Sequence, residues 1–441
     1  MSRPTLATRT LVHVRRLVAG PIARASGTSL AVRLGGLVLT FVLAVLTARM
    51  LGPAGYGTVA WVISMAQVFA IAATFGLGGL SVREVPARLA VMDRAGLSAY
   101  LQTGLRVTLA LSLLASVAVG VILWNATRPV LAIGGLLVTP LAMLALLRGW
   151  AQGFARIAIA QIPGEVVRPG VMVLILLTAW ASGYRPDVAS YLAAVVAALL
   201  LAVVFGVMQL RRTELLRLPA AGPRSAGSLK GALPFLCLGL AAVVQGEINT
   251  LLLGRLAGPV ETGLFQPIAR FAPLLMLPVE AASMRYAPRV AELWKIGERR
   301  KVRQITATFA WTTALLTLLA SLALSLAGPW LLLIFGREFA AMAPLLWIVA
   351  AAQSINAACG PGGLLLTMTG HTGSALMGQM AGLTVNVVLA LVLVPLYGAL
   401  GATAALAGGI VALNVAMAVL AARAVGFDPT IGGSFRRGAG N

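Results

Sequence analysis

About twelve apolar stretches, each close to the length of a membrane-spanning helix, constrain the fold of this chain more than any other feature. A hydrocarbon core about 30 Å thick is crossed by about 20 helical residues. The stretches lie at residues 29–50, 57–80, 101–124, 129–147, 162–182, 188–210, 231–254, 263–284, 305–335, 340–368, 374–394 and 398–424. Transmembrane β-barrels instead show short segments of alternating hydrophobicity. The sequence therefore predicts an all-α polytopic integral membrane protein with about twelve transmembrane helices.

Composition argues strongly against a soluble enzyme. Only 10% of the 441 residues are charged and 59% are hydrophobic, whereas soluble proteins carry roughly 25% charged residues. The chain also has 34 Lys and Arg against 12 Asp and Glu, a net charge of +22. With both termini in the cytoplasm, most of these cations fall on the cytoplasmic side, as the positive-inside rule requires. Membrane orientation therefore accounts for the charge, and a nucleic-acid partner is not expected.

A long polar break divides the predicted helices into two six-helix bundles. The break at residues 211–230 contains two prolines and two glycines, which favour a linker. The predicted domains are a basic N-terminal segment, an N-terminal bundle, a cytoplasmic linker, a C-terminal bundle and a cytoplasmic tail, at residues 1–28, 29–210, 211–230, 231–424 and 425–441. Within the first segment, residues 11–19 are predicted either as an amphipathic helix on the membrane surface or as a solvated basic tail.

An internal repeat relates the two bundles at an offset of 206 residues. Residues 48–57 match residues 254–263, and the matched pairs are Arg49 with Arg255, Gly52 with Gly258, Pro53 with Pro259 and Gly57 with Gly263. Each copy connects the first helix of its bundle to the second. Although Gly-Pro turns are common, four coincidences at one turn favour shared ancestry. Parallel repeats are one transporter design, so a substrate site is expected between the bundles.

Four short motifs, in order along the chain, resemble one family of transporters. They lie at residues 48–57, 75–78, 336–339 and 394–404, and together they resemble the polysaccharide transporter family within the multidrug/oligosaccharidyl-lipid/polysaccharide (MOP) flippase superfamily. The resemblance implies a bacterial inner-membrane flippase for a polyprenyl-diphosphate-linked oligosaccharide, the repeat unit of a surface polysaccharide. It implies alternating access around a cationic cavity, and polysaccharide assembly proteins as possible partners.

Four arginines are candidates for binding the anionic substrate. Arg33 and Arg270 fall within or at the edge of spans, where an ionisable side chain is costly and usually faces a cavity or a partner. Arg49 and Arg255 end the first helix of each bundle. Arginine binds phosphate as a planar bidentate donor. The alternatives are that Arg33 extends to the membrane surface and that Arg49 and Arg255 cap helix C-termini.

Five polar residues are candidates for coupling or ion pairing. Gln245, Glu247 and Asn249 occupy the seventh span, where more than half of the helix circumference is polar. We hypothesise that Glu247 pairs with Arg270, because both are about equally distant from the second repeat turn. Such a pair would either stabilise the bundle or act in substrate release or proton coupling. Glu165 and Arg168, three residues apart in the fifth span, are expected to pair with each other.

Other functions find little support in the residues. With two histidines and two cysteines in no metal-ligand spacing, neither a metal site nor a catalytic triad is expected. No phosphate-binding Gly-rich loop with lysine is present, so we expect no cofactor and no enzyme activity. Energy would come from a H⁺ or Na⁺ gradient or the membrane potential. The alternatives are a cation-coupled drug antiporter, a lipid II-type flippase and, less favoured, a membrane glycan polymerase or ligase.

Overall fold

The computed structural model describes residues 21–126, 129–213 and 231–433. Three predicted segments therefore lie wholly or partly outside the described residues. These are the basic N-terminal segment up to residue 20, including the possible helix at 11–19, the linker from residue 214 to residue 230, and the tail from residue 434 onward.

Helices account for nearly all of the described chain. We number the α-helices α1 to α15, and their bounds are Pro21–Ala73, Leu77–Ala90, Arg94–Ala126, Val138–Gly153, Ile157–Ile162, Arg168–Ala181, Val188–Thr213, Ala232–Leu256, Pro259–Phe271, Leu277–Lys295, Arg299–Phe335, Arg337–Ala340, Ala343–Ala358, Gly362–Met368 and Thr372–Val425. Short 3₁₀ helices precede α4 and α10, and a π turn at Pro163–Val167 joins α5 to α6. The described residues include no β-strand, and the predicted all-α class is confirmed.

Nine helices in the described residues are long and apolar enough to cross a membrane. Two of these candidate spans, Ala31–Ala73 and Thr372–Val425, are 43 and 54 residues long, and each is bent at one glycine. At about 20 residues per crossing, each is long enough for two spans. The region of α9 and α10 corresponds to the predicted span at 263–284, so about twelve spans are accounted for.

Glycine is required at both bends because the backbone there is left-handed. Gly52 in α1 has φ 64° and Gly398 in α15 has φ 52°. A side chain at such a φ is strained, and glycine adopts it freely. Pro53 follows the first bend, where its missing N–H costs nothing at the start of a new helical segment.

The chain forms two compact units. Unit 1 comprises the described residues of Met1–Leu46 and Met65–Val243, and unit 2 comprises Thr47–Ser64 and the described residues of Val244–Asn441. The helix α1 therefore contributes to both units. The predicted bundles at 29–210 and 231–424 are continuous segments of the chain, whereas each unit combines two segments. The bounds of the bundles stay a prediction.

Close glycine contacts hold unit 1 together where α2 packs against α4. A Cβ atom on Gly149 would collide with the backbone of Gly78, and one on Gly153 would come within 2.6 Å of the Ser81 carbonyl oxygen. Small residues spaced four apart let membrane helices approach this closely. Around this crossing lies an apolar core that includes Leu80 and Tyr100.

Unit 2 has its own apolar core among α10, α11, α14 and the end of α15. The Tyr286 hydroxyl lies 2.8 Å from the Thr306 hydroxyl, and its ring centroid is 4.7 Å from that of Phe309. Because the buried Tyr286 hydroxyl has a hydrogen-bond partner, the ring can lie among apolar side chains without leaving a polar atom unsatisfied.

The predicted repeat is visible in the backbone of unit 2. Gly52 has φ 64° and ψ 178°, and its equivalent Gly258 has φ 89° and ψ 177°. The last glycines of the two repeat copies, Gly57 and Gly263, make matching contacts as well. A Cβ atom on Gly57 would collide with the Pro259 carbonyl oxygen, and a Cβ atom on Gly263 would collide with the Pro53 carbonyl oxygen. Equivalent residues of the two copies thus contact each other reciprocally.

Candidate functional site

A cavity of about 670 Å³ lies within unit 1. Its walls come from α1, α2, α4, the α5–α6 segment, α7 and the start of α8, and most of them are apolar. The polar and charged side chains on the wall are Gln67, Thr74, Arg148, Gln152, Gln161, Glu165 and Arg168. A mostly apolar cavity of this size with a few polar groups is typical of a small-molecule site, for which volumes of about 300–1,000 Å³ are usual.

The packing of α4 directs Arg148 and Gln152 toward the cavity. Gly149 and Gly153 face α2, and the residues that precede each of them line the cavity. Residues four apart share a face of a helix, so the guanidinium and the amide lie one turn apart on the same wall. Arg148 directly follows the predicted end of the fourth span at residue 147, and nothing in the sequence indicated that it faces a cavity.

The π turn at Pro163–Val167 fixes the backbone of Glu165. A Cβ atom on Gly36 of α1 would come within 2.7 Å of the Glu165 carbonyl oxygen, and one on Gly206 of α7 would come within 3.2 Å of Pro163. The turn is therefore held between two helices that approach it at glycines. Isolated π turns occur frequently at functional sites, and this one carries a carboxylate on the cavity wall.

Glu165 forms an ion pair with Arg148 that the sequence did not predict. An Arg148 guanidinium nitrogen, Nη2, lies 3.4 Å from Glu165 Oε1. The predicted pair between Glu165 and Arg168 stays a prediction. Arg168 lies on the wall of the same cavity, so two arginines and one glutamate line it.

Arg33 lies on α1, three residues before Gly36, and its side chain is exposed. It is not among the residues that line the cavity. Since Gly36 contacts the Glu165 backbone, Arg33 stands about one helical turn from that contact. Its role as a substrate-binding residue stays a prediction.

The polar face predicted for the seventh span lies in α8 and is in contact with other helices of unit 2. The Ser64 hydroxyl donates to Glu247 Oε2 at 2.5 Å, and the Gln379 amide donates to Gln245. Asn249 is 2% exposed, and its Oδ1 has no hydrogen-bond partner among the described residues. The role of this face in coupling stays a prediction.

Arg270 and Glu247 have different neighbours in this conformation. Arg270 lies close enough to the buried Tyr56 hydroxyl to interact with it electrostatically. The salt bridges among the described residues include none between Glu247 and Arg270. The structure therefore shows Glu247 hydrogen-bonded to a neutral hydroxyl.

Arg49 contacts the C-terminus of another helix. Its Nε donates to the Ile334 carbonyl at 2.6 Å, and its Nη2 lies 3.4 Å from the Leu333 carbonyl oxygen. These carbonyls belong to the last turn of α11, where a cation interacts favourably with the helix dipole. Arg49 thus caps a helix C-terminus, as the alternative interpretation states, but the capped helix is α11 and not α1, which carries Arg49. The repeat-equivalent Arg255 is exposed.

Glu261 is a second charged residue that the sequence analysis missed. Its Oε2 accepts the Ala399 backbone N–H at 2.7 Å, directly after the bend at Gly398. The carboxylate therefore caps the helical segment that starts there, and its charge complements the N-terminal dipole. The signal that the sequence offered for this role is a carboxylate three positions after Gly258.

Replacing Glu261 with alanine is expected to lower the free energy of unfolding by about 1 kcal/mol, the usual cost of losing an N-terminal cap. Glu261→Gln keeps an acceptor oxygen and should recover part of that loss. Thermal unfolding in detergent measures both, with Glu338→Ala as the control because Glu338 is exposed. Equal unfolding temperatures for Glu261→Ala and Glu338→Ala would contradict the capping role.

A metal centre is not apparent in the described residues. They contain no group of three or more His, Cys, Asp or Glu side chains that could hold a metal ion. The polar groups on the cavity wall are guanidinium groups, amides, one hydroxyl and one carboxylate. Such groups bind anions and hydroxyl-rich molecules.

Sequence comparison identifies one family. The family described as "Polysaccharide biosynthesis protein" matches residues 23–293, which is more than half of the chain. Among curated proteins, no sequence matches the chain significantly.

Several solved structures share the fold over almost the whole chain. An inward-facing multidrug resistance MATE family transporter of the MOP superfamily aligns with a TM-score of 0.70 at 12% identity, covering 94% of this chain and 99% of that one. The lipid II flippase MurJ, in an inward closed conformation, aligns with a TM-score of 0.68 at 14% identity, covering 91% and 87%. A MOP superfamily transporter from Pyrococcus furiosus aligns with a TM-score of 0.58 at 14% identity, covering 91% and 96%. At these identities the comparison shows a common fold.

Proposed function

Because the chain belongs to the polysaccharide biosynthesis protein family and has the fold of MOP superfamily transporters, we propose that it is a flippase for a lipid-linked glycan. The substrate is a polyprenyl-diphosphate-linked oligosaccharide, the repeat unit of a surface polysaccharide, and it moves from the inner to the outer leaflet. The observation that carries the proposal is the cavity of unit 1, which is lined by Arg148 and Arg168.

The cavity wall matches the chemistry of such a headgroup. A diphosphate presents several anionic oxygens, to which guanidinium groups donate paired hydrogen bonds. The amides of Gln67, Gln152 and Gln161 can donate to and accept from sugar hydroxyls. The polyprenyl chain is apolar and needs no polar site, because it can remain in the bilayer. We assign the diphosphate and the sugars nearest to it to this cavity.

The orientation and energy source complete the proposal. The cation distribution supports an inner-membrane protein with both termini in the cytoplasm. The repeat supports transport by alternating access. A H⁺ or Na⁺ gradient or the membrane potential would drive the step without a cofactor, and the lipid-linked substrate would be handed to polysaccharide assembly proteins.

A second candidate function is a cation-coupled drug antiporter. The fold match to a MATE family transporter favours this candidate. The cavity argues against it, because two arginines and one glutamate on the wall would repel a cationic drug. A lipid II-type flippase, the third candidate, shares the diphosphate and differs in its sugars.

Reconstituted transport tests the proposal. The purified chain in proteoliposomes is expected to move a fluorescent polyprenyl-diphosphate-linked oligosaccharide between leaflets, measured by the fraction that an added glycosidase can reach. Lipid II and a cationic dye, assayed in parallel, represent the two alternatives. Dye transport without movement of either glycan lipid would overturn the proposal, and movement of lipid II alone would assign the third function.

A further inference from the structure

A carboxylate stands in the proposed phosphate site. Glu165 lines the cavity beside Arg148 and Arg168 and forms a salt bridge with Arg148. We propose that Glu165 is a tethered counter-anion, which pairs with Arg148 in the empty cavity and is displaced by the substrate's diphosphate. This inference rests on the proposed function and gives a specific residue a part in selecting the anion.

The geometry of the salt bridge makes it replaceable. It consists of one contact of 3.4 Å, between Arg148 Nη2 and Glu165 Oε1, and the two side chains are 53% and 28% exposed. A single, long, partly hydrated contact is weak. A diphosphate offers more charge and more acceptor oxygens, so it can take two guanidinium hydrogen bonds where the carboxylate takes one.

The backbone of Glu165 cannot follow the substrate. Gly36 lies against the Glu165 backbone and Gly206 lies against Pro163, so both sides of the π turn are packed. Displacement therefore requires only a rotation of the Glu165 side chain, and the carboxylate stays near the cavity. A carboxylate at this position repels every anion that enters, and the repulsion is offset only when the anion contacts the arginines fully.

A threshold for binding follows from this competition. Every anion must release Arg148 from Glu165 before it binds, so Glu165 lowers the affinity of the cavity for all anions. Only a ligand with strong contacts to the arginines, such as a diphosphate, still occupies the cavity. Glu165 thus keeps weakly binding lipid phosphates, which are abundant in any bilayer, out of the cavity. It is a positioning residue, because it acts through Arg148.

Ligand binding to Glu165→Gln tests the inference. The full-length protein in nanodiscs is titrated with farnesyl diphosphate and with farnesyl monophosphate, and both dissociation constants are compared with those of the unsubstituted protein. The substitution removes the competing charge and keeps the side-chain shape. We expect both lipids to bind about fivefold more tightly, as loss of a weak ion pair allows. Farnesyl diphosphate remains the tighter ligand in both proteins.

Two further variants make the outcome decisive. Glu84→Gln serves as the matched control, since Glu84 pairs with Arg83 and Arg88 away from the cavity wall, and it should leave both affinities unchanged. Arg148→Gln should weaken both. If Arg148→Gln weakens binding while Glu165→Gln leaves both affinities unchanged or weakens them, the counter-anion role is overturned and the proposed function stands. If the unsubstituted protein binds neither lipid, both are overturned.

Discussion

Gly57→Ala is expected to destabilise unit 2 severely and to abolish transport. The added methyl group would overlap the Pro259 carbonyl oxygen and approach the Gly263 amide nitrogen. Both are backbone atoms and cannot rotate away, so the two helical segments must separate. Overpacking a tight site costs about 1–3 kcal/mol even where side chains can adjust, and we expect at least about 3 kcal/mol here.

Thermal unfolding in detergent, followed by tryptophan fluorescence, measures this effect. Gly263→Ala should behave like Gly57→Ala, because its methyl group would overlap the Pro53 carbonyl oxygen. Gly246→Ala in α8 is the control, since a Cβ atom there has nothing within 4 Å. An unfolding temperature for Gly57→Ala equal to that of the control would show that the close contact is absent in the protein.

Removing both cavity arginines should reduce transport more than any other change on the cavity wall. We expect Arg148→Gln combined with Arg168→Gln to lower the rate of glycan-lipid movement by about 100-fold. Hydrogen bonds to charged groups contribute about 1.5–3 kcal/mol each, and each 1.4 kcal/mol corresponds to a factor of about ten. Glutamine preserves a donor and much of the side-chain length, so the loss reports mainly the charge.

Initial rates in proteoliposomes, normalised to the amount of inserted protein, measure this loss. Arg94→Gln provides the control, because Arg94 is exposed at the start of α3 and its substitution removes one positive charge outside the cavity by the same exchange of side chain. A double variant as active as the control would place the diphosphate elsewhere. The cavity of unit 1 would then lose its proposed role.

The apolar sequence predicted the fold class because a bilayer leaves a helix few alternatives. Stretches of about 20 apolar residues must satisfy their backbone hydrogen bonds internally, and the observed helices follow the predicted spans. The repeat was also readable, because glycine and proline have strict backbone requirements. Gly52 and Gly258 indeed adopt the same unusual conformation.

The site was less predictable because its geometry depends on packing between distant helices. Arg148 looked like one more cation beyond the end of a span, and only the position of Gly149 against α2 shows that it faces a cavity. The π turn at Pro163–Val167 differs from an α-helix by one residue in its spacing. No local pattern distinguishes the two, and none indicates that Arg148 lies beside Glu165.

The borders of the two units could not be read from the sequence either. Residues 47–64 belong to unit 2, although they continue the same helix as residues of unit 1. Their placement follows from contacts such as that between Gly57 and Pro259, which are about 200 positions apart. A hydropathy pattern contains no information about such pairs.

The reciprocal contacts of the repeat have the symmetry of a homodimer interface. In a two-fold dimer, residue i of one subunit contacts residue j of the other, and j contacts i. Gly57 with Pro259 and Gly263 with Pro53 obey this rule inside a single polypeptide. In identical subunits one substitution would alter both contacts at once, whereas in a single chain each copy can differ alone. Glu261 corresponds to Gly55 in the first copy, so only the second copy carries a carboxylate at this position, and that carboxylate anchors Ala399.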